Sequence, residues 1–233
     1  MTTLSDVDAI TFDCYGTLID WETGILETLK PLFIRYGLES RWRPRVVLEK
    51  YAEYESAEQI KDYTSYRHVL GRVMDHFFDS DDIVLSAEDR DALAESIAGW
   101  KPFPDSVESL RALAAVKPLG VLSNIDNDLL TASLDQLGVS FQWVITAEQV
   151  QAYKPSPAHF AEFLRQSGLD PSRVLHVAQS MYHDINPAQE LGFQTVWINR
   201  REGKDGGGAT PASQGEPGQV FPSLAAFVAS LSL

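Results

Sequence analysis

Four short apolar runs in the sequence are each followed by polar side chains that could take part in catalysis. In chain order these side chains are Asp13, Ser123 with Asn124, Lys154 and Asp184. Because the carboxyl ends of parallel strands meet at one edge of an open α/β sheet, we expect the four positions to converge there. A carboxylate beside an ammonium group stays ionised and can attack an electrophilic carbon. Any one of these residues alone would be interpreted as a loop cap, but together they predict a nucleophilic site.

The elements that must position these residues follow from the spacing of apolar side chains. The apolar runs lie at 9–12, 119–122, 141–145, 174–177 and 195–198. Between them, apolar residues recur three and four positions apart, as they do along one face of a helix. This alternation predicts an α/β fold with a doubly wound parallel sheet that is covered by helices on both faces.

Near residue 105 and again after residue 200, the sequence carries more specific signals of secondary structure. Asp105 with Glu108 has the spacing of a capping box at the start of a helix. A last strand is expected near Val220, followed by a helix over 223–231. The Gly- and Pro-rich segment 200–218 is expected to be an exposed loop.

The stretch 21–99 differs from the rest because it has helical stripes but no strand-like run. We therefore predict an α/β core of residues 1–18 and 101–233, with an inserted helical cap at 19–100. Tryptophans at 21, 42 and 100 are candidates for lining an apolar pocket between the two parts.

The composition limits the kinds of partner. The 233 residues include 19 Lys and Arg against 33 Asp and Glu, a formal net charge of −14. So acidic a chain is poorly suited to nucleic acid or an anionic membrane, and a small anionic substrate would need a few local cations. The single cysteine, Cys14, excludes an internal disulfide and fits the cytoplasm. We expect no membrane span, and the sequence leaves a homodimer open.

Four segments resemble, in order and spacing, the motifs of the haloacid dehalogenase superfamily. They are Asp13-Cys-Tyr-Gly-Thr17, Ser123-Asn124, Lys154-Pro155 and Val177-Ala-Gln-Ser-Met-Tyr-His-Asp184. The resemblance covers nearly the whole chain and implies a Rossmann-like core with a helical cap. It implies that Asp13 is a nucleophile forming a covalent ester, that Thr17 and Ser123 orient it or bind substrate, and that Lys154 balances its charge. We expect Asp184 to hold Lys154 in place or to help activate water.

The first and fourth motifs favour one of two chemistries. Phosphatase members carry an Asp two residues after the nucleophile and acids in the fourth motif that bind magnesium, whereas this chain has Tyr15 and Gln179 there. The Asp-x-Tyr-Gly-Thr form instead resembles the L-2-haloacid dehalogenase branch, which works without metal, so we expect neither metal nor cofactor. A halide leaves without a proton, which suits Tyr15 because its unperturbed pKa is about 10.

The resemblance also implies how a carboxylate substrate is held. The branch uses an Arg from the start of the cap, where this chain has Arg43 and Arg45. We take Arg45, Tyr15 and Asn124 as candidate substrate-binding residues. The chain is thus expected to be an enzyme that hydrolyses a small 2-substituted carboxylic acid, an (S)-2-haloacid first, through an aspartyl ester.

Some departures from that branch keep alternatives open. Gln179 and Met181 stand where the branch has Ser and Asn, and Phe160 stands where it has Tyr. An amine in a strained ring is an alternative leaving group, and it would need a proton from His183 or Tyr15. A magnesium-dependent phosphatase is another alternative. A non-catalytic small-ligand binder is a third, against which the intact motif residues argue.

Overall fold

Six parallel strands form a single sheet in a computed structural model that describes residues 4–79 and 83–231. The strands are β1 (Ala9–Phe12), β2 (Leu119–Ser123), β3 (Trp143–Thr146), β4 (Val174–Ala178), β5 (Gln194–Ile198) and β6 (Gln219–Phe221). Their order across the sheet is β3-β2-β1-β4-β5-β6, so the chain winds outward from β1 in both directions. Phe12 at the end of β1 lies opposite Val121 of β2 and Val177 of β4. This is the predicted doubly wound parallel sheet.

Ten α-helices of the described chain accompany the sheet. The first four are α1 (Trp21–Arg35), α2 (Pro44–Gln59), α3 (Tyr66–Phe78) and α4 (Ala87–Ser96). The other six are α5 (Ser106–Ala114), α6 (Asn127–Leu137), α7 (Ala147–Val150), α8 (Ala158–Ser167), α9 (Asn186–Glu190) and α10 (Leu224–Ser230). The helices α1–α4, which follow β1 and precede α5 in the chain, are called the insert below. None of the described helices is long and apolar enough to cross a membrane.

Both faces of the sheet are buried, as expected for parallel strands. Successive side chains of β1 point to opposite faces. Ile10 and Phe12 therefore belong to one apolar cluster and Ala9 to another. The first cluster includes Leu110 of α5, and the second includes Phe160 of α8.

Two local predictions need correction. Asp105 does not close a capping box, because its carboxylate accepts hydrogen bonds from the Arg200 guanidinium at 2.8 and 2.9 Å and from the Ala225 amide. The segment 200–218 is not exposed throughout, since Gly208 and Ala209 are buried. Charged side chains that meet from distant parts of the chain explain both differences, since Glu22 of α1 accepts a hydrogen bond from the Ala209 amide.

The insert is fastened to the core at the start of α3. The Asp126 carboxylate, which precedes α6, accepts hydrogen bonds from the backbone amides of Tyr66 and Arg67 at 2.8 and 3.0 Å. The Tyr153 hydroxyl donates to the carbonyl of Thr64 at 2.7 Å. These bonds satisfy the first amides of α3 and set the position of Tyr66 relative to the core.

Candidate active site

A buried lysine joins two carboxylates at the carboxyl edge of the sheet. The Lys154 ammonium donates to Asp13 Oδ1 at 3.0 Å, to Asp184 Oδ1 at 2.6 Å and to the carbonyl of Leu122 at 2.8 Å. The Lys154 side chain is 1% exposed. An ammonium has three N–H donors, so all three are used. The residues that β1, β3 and β4 place at this edge thus meet as the sequence predicts.

The loop after β1 aims the Asp13 carboxylate. The Thr17 hydroxyl donates to Asp13 Oδ2 at 2.8 Å and accepts from the Gln179 amide at 2.9 Å. Gly16 has a φ of +88°, and a Cβ there would lie 2.9 Å from Trp21 Nε1. A side chain at position 16 would therefore be strained and crowded, which explains the glycine. Arg200 donates to the Thr17 carbonyl at 2.9 Å and so holds the same loop from outside.

Ser123 and Asn124, at the end of β2, differ in their hydrogen bonds. Asn124 Oδ1 accepts from the Lys154 amide at 2.7 Å, and its Nδ2 donates to the Lys154 carbonyl at 3.1 Å. The amide side chain therefore holds the backbone of Lys154. The Ser123 hydroxyl is enclosed, lines the cavity and has no hydrogen-bond partner in the described part of the chain. A buried hydroxyl without a partner is costly, so it is suited to a ligand.

Asp184 has one occupied and one open carboxylate oxygen. Oδ1 accepts from Lys154 and lies 3.1 Å from His176 Nε2, whose other ring nitrogen is 2.9 Å from the Thr11 hydroxyl. Oδ2 is buried and has no partner among the described residues. Burial disfavours the charged form, but Lys154 and His176 together outweigh it and keep the pKa of Asp184 below its usual value.

The nucleophile candidate and the lysine are electrostatically coupled. Burial raises the pKa of Asp13 above its ordinary value, while Lys154 opposes the rise and Asp184 adds to it. Burial also disfavours the Lys154 ammonium, but the two carboxylate charges outweigh it and raise the pKa of Lys154. The lysine stays charged and Asp13 is the more easily protonated partner.

A small cavity of about 40 Å³ opens onto this group. Its lining residues are Asp13, Tyr15, Trp21, Glu55, Gln59, Tyr66, Ser123, Asn124, Lys154, Gln179, Ser180, His183, Asp184 and Thr210. Among the described residues, the lining therefore has three carboxylates and a single ammonium, and it contains no arginine.

Of the predicted site residues, Thr17 does not itself line the cavity but donates a hydrogen bond to Asp13 there, whereas Arg45 lies away from it altogether. Its side chain is 61% exposed at the start of α2 and lies 3.7 Å from Glu49. Arg43 donates to the backbone carbonyls of Ser40 and Trp42. Neither arginine is among the lining residues. The sequence places both in the right region of the chain, but the turn of α2 that carries Arg45 points it to solvent.

Tyr15 and His183 line the cavity but are poor proton donors. The Tyr15 hydroxyl is 2.9 Å from the Ser133 hydroxyl, its ring lies edge-on to Trp100, and burial raises its pKa well above the usual value. The His183 amide and ring both meet the Ser180 hydroxyl, and burial lowers the pKa of His183 to about 4. The imidazole is therefore neutral at pH 7.

The sequence missed the insert side of the cavity. Glu55 and Gln59 on α2 and Tyr66 on α3 line it, as does Thr210 from the loop before β6. Glu55 is buried, which is unusual for a glutamate and could be noticed as the acid on an otherwise apolar stripe with Tyr51 and Leu48. Trp21 is the tryptophan that reaches the cavity, whereas Trp100 packs behind Tyr15.

A parallel α/β sheet with a lysine between two carboxylates at its carboxyl edge defines a hydrolase class in which a carboxylate is the candidate nucleophile. The chain belongs to the haloacid dehalogenase-like hydrolases, whose family model matches residues 7–192. It is therefore an enzyme of that family.

Among curated proteins, the chain is similar to two (S)-2-haloacid dehalogenases of Pseudomonas. It is 28% identical over 208 residues to that of strain YL, covering 83% of each chain. It is 27% identical over 202 residues to dehalogenase 1 of strain CBS-3, covering 84% of this chain and 86% of the relative.

A solved structure of similar fold is the defluorinating L-2-haloacid dehalogenase Rha0230, with a TM-score of 0.80 and 24% identity over 97% of this chain and 96% of that one.

Proposed function

We propose that the protein hydrolyses small 2-substituted carboxylic acids, 2-haloacids among them, with Asp13 as a covalent nucleophile and without a metal. The observation that carries the proposal is the Asp13–Lys154–Asp184 group, with contacts of 3.0 and 2.6 Å, at the floor of the cavity. The names of the curated relatives support the 2-haloacid class and the S configuration.

In the first step, an Asp13 oxygen attacks carbon 2 of the substrate and the leaving group takes the bonding electrons. Thr17 and Lys154 each hold one oxygen of Asp13, so the carboxylate is fixed in orientation before substrate arrives. The ammonium favours the ionised form of Asp13, which is the form that attacks. The product of this step is an ester of Asp13.

In the second step, water attacks the ester carbonyl carbon of Asp13 and releases a 2-hydroxy acid. Asp184 Oδ2 is the open acceptor beside this group, and it can orient the water and take its proton. Lys154 keeps Asp184 ionised for that task.

The ammonium of Lys154 makes a metal unnecessary in this scheme. It supplies a positive charge to both Asp13 and Asp184, so neither carboxylate needs a divalent cation to stay ionised in this scheme. The backbone N–H of Gln179 donates to the Thr17 hydroxyl, and its side-chain Oε1 accepts from the Thr210 hydroxyl. Gln179 therefore lies at the cavity as a neutral group.

The substrate carboxylate would meet the Ser123 hydroxyl, the unpartnered donor of the lining. Asn124 contributes by holding Lys154, and Tyr15 contributes its ring as a wall. We do not assign Arg45 a role in binding, since its side chain lies outside the cavity.

The test is a substrate panel of 2-chloropropionate, in both configurations, and an aryl phosphate, each with and without EDTA. We expect hydrolysis of the S configuration at a rate that EDTA leaves unchanged, and no hydrolysis by Asp13→Asn. Hydrolysis of the phosphate alone, abolished by EDTA and restored by magnesium, would instead establish the phosphatase alternative.

A further inference from the structure

Glu55 is a buried carboxylic acid on the side of the cavity that faces Asp13. It lies on α2, is 3% exposed and lines the same cavity as Asp13. Its Oε1 accepts from the Tyr66 hydroxyl at 2.5 Å and from the Tyr51 hydroxyl at 3.3 Å. Its Oε2 has no hydrogen-bond partner among the described residues. One oxygen is thus anchored and the other is open to a ligand.

The surroundings of Glu55 favour its protonated form. Burial raises the pKa of Glu55 to about 7, the two tyrosine hydroxyls oppose the rise, and the charge of Asp13 adds to it. Tyr51 on α2, Tyr66 on α3, and Asp13 and Tyr153 on the core are the titratable groups that act on or face Glu55. An acid with a pKa near the working pH can both give and take back a proton.

The cavity lacks a free cation for a departing halide. In the part of the chain that the structure describes, Lys154 is the single cation of the lining, and its three N–H donors are already used on Asp13, Asp184 and Leu122. A chloride or bromide would leave toward carboxyl groups with no charged donor to receive it. A leaving group that takes up a proton would avoid this repulsion because it departs uncharged.

We infer that Glu55 donates the proton to the leaving group, so that the preferred substrates are 2-substituted carboxylates whose leaving atom departs as a base, such as fluoride or a ring nitrogen that reacts as the neutral amine. This inference rests on the proposed function, because the group that forms the new bond is Asp13. The relevant side chains are in one cavity, and neither Tyr15 nor His183 is suited to the task.

Glu55 gives up one proton in the first step and regains one in the second. In the first step the Asp13 oxygen bonds to carbon 2, the carbon–X electrons go to X, and the Glu55 proton passes to X, which leaves as HX. Glu55 is then a carboxylate and Asp13 is a neutral ester. In the second step water restores the Asp13 carboxylate and yields the 2-hydroxy acid. The one net proton, which Asp184 takes from the water, passes to solvent, and Glu55 takes up one proton from solvent in return.

The test compares three substrates on wild type, Glu55→Gln and Glu58→Gln. The substrates are 2-bromopropionate, whose bromide needs no proton, 2-fluoropropionate, and azetidine-2-carboxylate, a strained cyclic amino acid. Glu55→Gln keeps the size of the side chain and an oxygen that can accept from Tyr66, but it has no acidic proton. Glu58 is the matched control, because it is a buried acid on α2 that pairs with Lys61 and His76 outside the cavity.

We expect wild type to hydrolyse 2-fluoropropionate or azetidine-2-carboxylate, with a kcat that falls as the pH rises above about 7. Glu55→Gln should lower that kcat by about 10²-fold or more and abolish the fall of kcat at alkaline pH. It should change the kcat for 2-bromopropionate less than about fivefold. Glu58→Gln should change none of the three by more than about threefold.

Two results would overturn the inference while leaving the proposed function intact. One is an equal loss on all three substrates in Glu55→Gln, which would show a structural role. The other is a wild type that turns over 2-bromopropionate through an Asp13 ester but neither of the other two. No turnover of any substrate and no ester on Asp13 would contradict the proposed function itself.

Discussion

The core side and the insert side of the cavity hold their carboxyl groups in opposite ways. On the core side, Asp13 and Asp184 share a buried ammonium, which favours the charged forms. On the insert side, Glu55 is held by two neutral tyrosine hydroxyls, and its pKa is raised to about 7. On the proposed roles, a carboxyl group serves as a nucleophile where a cation touches it and as an acid where no cation does.

The largest effect is expected from Lys154→Met, which removes the cation from the core side. Turnover should fall by about 10³-fold or more, because Asp13 and Asp184 lose the charge that orients and ionises them. Asp13 attacks only when ionised, so activity is lost as the pH falls through its pKa. The variant raises that pKa further, and the acid limb of the pH–rate profile should move to higher pH.

Lys117→Met is the matched control, since Lys117 donates to the Val7 carbonyl at the other end of the strands. It should keep wild-type turnover, and circular dichroism of both variants checks the fold. An unchanged acid limb in a folded Lys154→Met protein would contradict the role of the lysine.

Asp184→Asn should separate the two chemical steps. The Asp13 ester should still form, but its hydrolysis should slow by about 10²-fold or more because the open acceptor for water is lost. Intact-protein mass spectrometry should then show an adduct of substrate mass that wild type does not accumulate. If Lys154→Met accumulates the adduct and Asp184→Asn does not, the two roles are reversed.

Glu55→Gln should change how stability depends on pH. The pKa of Glu55 is about 7 in the folded state against 4.5 as the ordinary value, so its stabilising contribution is complete below 4.5 and is lost as the pH rises through 7. The difference corresponds to about 3 kcal/mol. The buried imidazoles of His159 and His183, whose pKa values are lowered to about 3 and about 4, act in the opposite direction, so the effect of Glu55 is measured as a difference between proteins. From pH 5 to pH 8, the Tm of wild type should fall relative to the Tm of Glu55→Gln.

Glu58→Gln again serves as the control. Lys61 and His76 overcome the effect of burial and lower the pKa of Glu58, so its contribution is present above the ordinary pKa and lost only in acid. Its change in Tm between pH 5 and pH 8 should equal that of wild type. The same change as wild type in Glu55→Gln would show that Glu55 ionises freely, and the contrast between the two sides would fail.

The smallest effect is expected from Arg45→Ala. An exposed guanidinium 3.7 Å from Glu49 contributes little, so kcat/KM for a 2-haloacid should stay within about twofold of wild type. Ser123→Ala, measured beside it, should raise KM because the unpartnered hydroxyl of the lining is removed. A large rise of KM in Arg45→Ala alone would mean that the insert does supply a cation to the substrate.

The core side of the cavity could be predicted from the sequence, and the insert side could not. Asp13, Lys154 and Asp184 follow strand-like runs, and parallel strands bring their carboxyl ends to one edge. Glu55 and Tyr66 lie on two helices of the insert, and their approach depends on how α2 and α3 pack and on the bonds from Asp126 to α3. The burial of Ala209 likewise depends on the distant partner Glu22. Such long-range partners leave no periodic signal in the chain.

In the proposed reaction Asp13 forms the covalent ester, and an isotope experiment distinguishes this from direct attack of water on the substrate. A single turnover of 2-chloropropionate is run in water enriched in ¹⁸O with enzyme in excess, and both the 2-hydroxy acid and the peptide containing Asp13 are weighed. Because water attacks the ester at the Asp13 carbonyl carbon, the label should appear in the Asp13 peptide and not in the product. Label in the product and none in the peptide would mean that water attacks the substrate itself, and it would contradict the account.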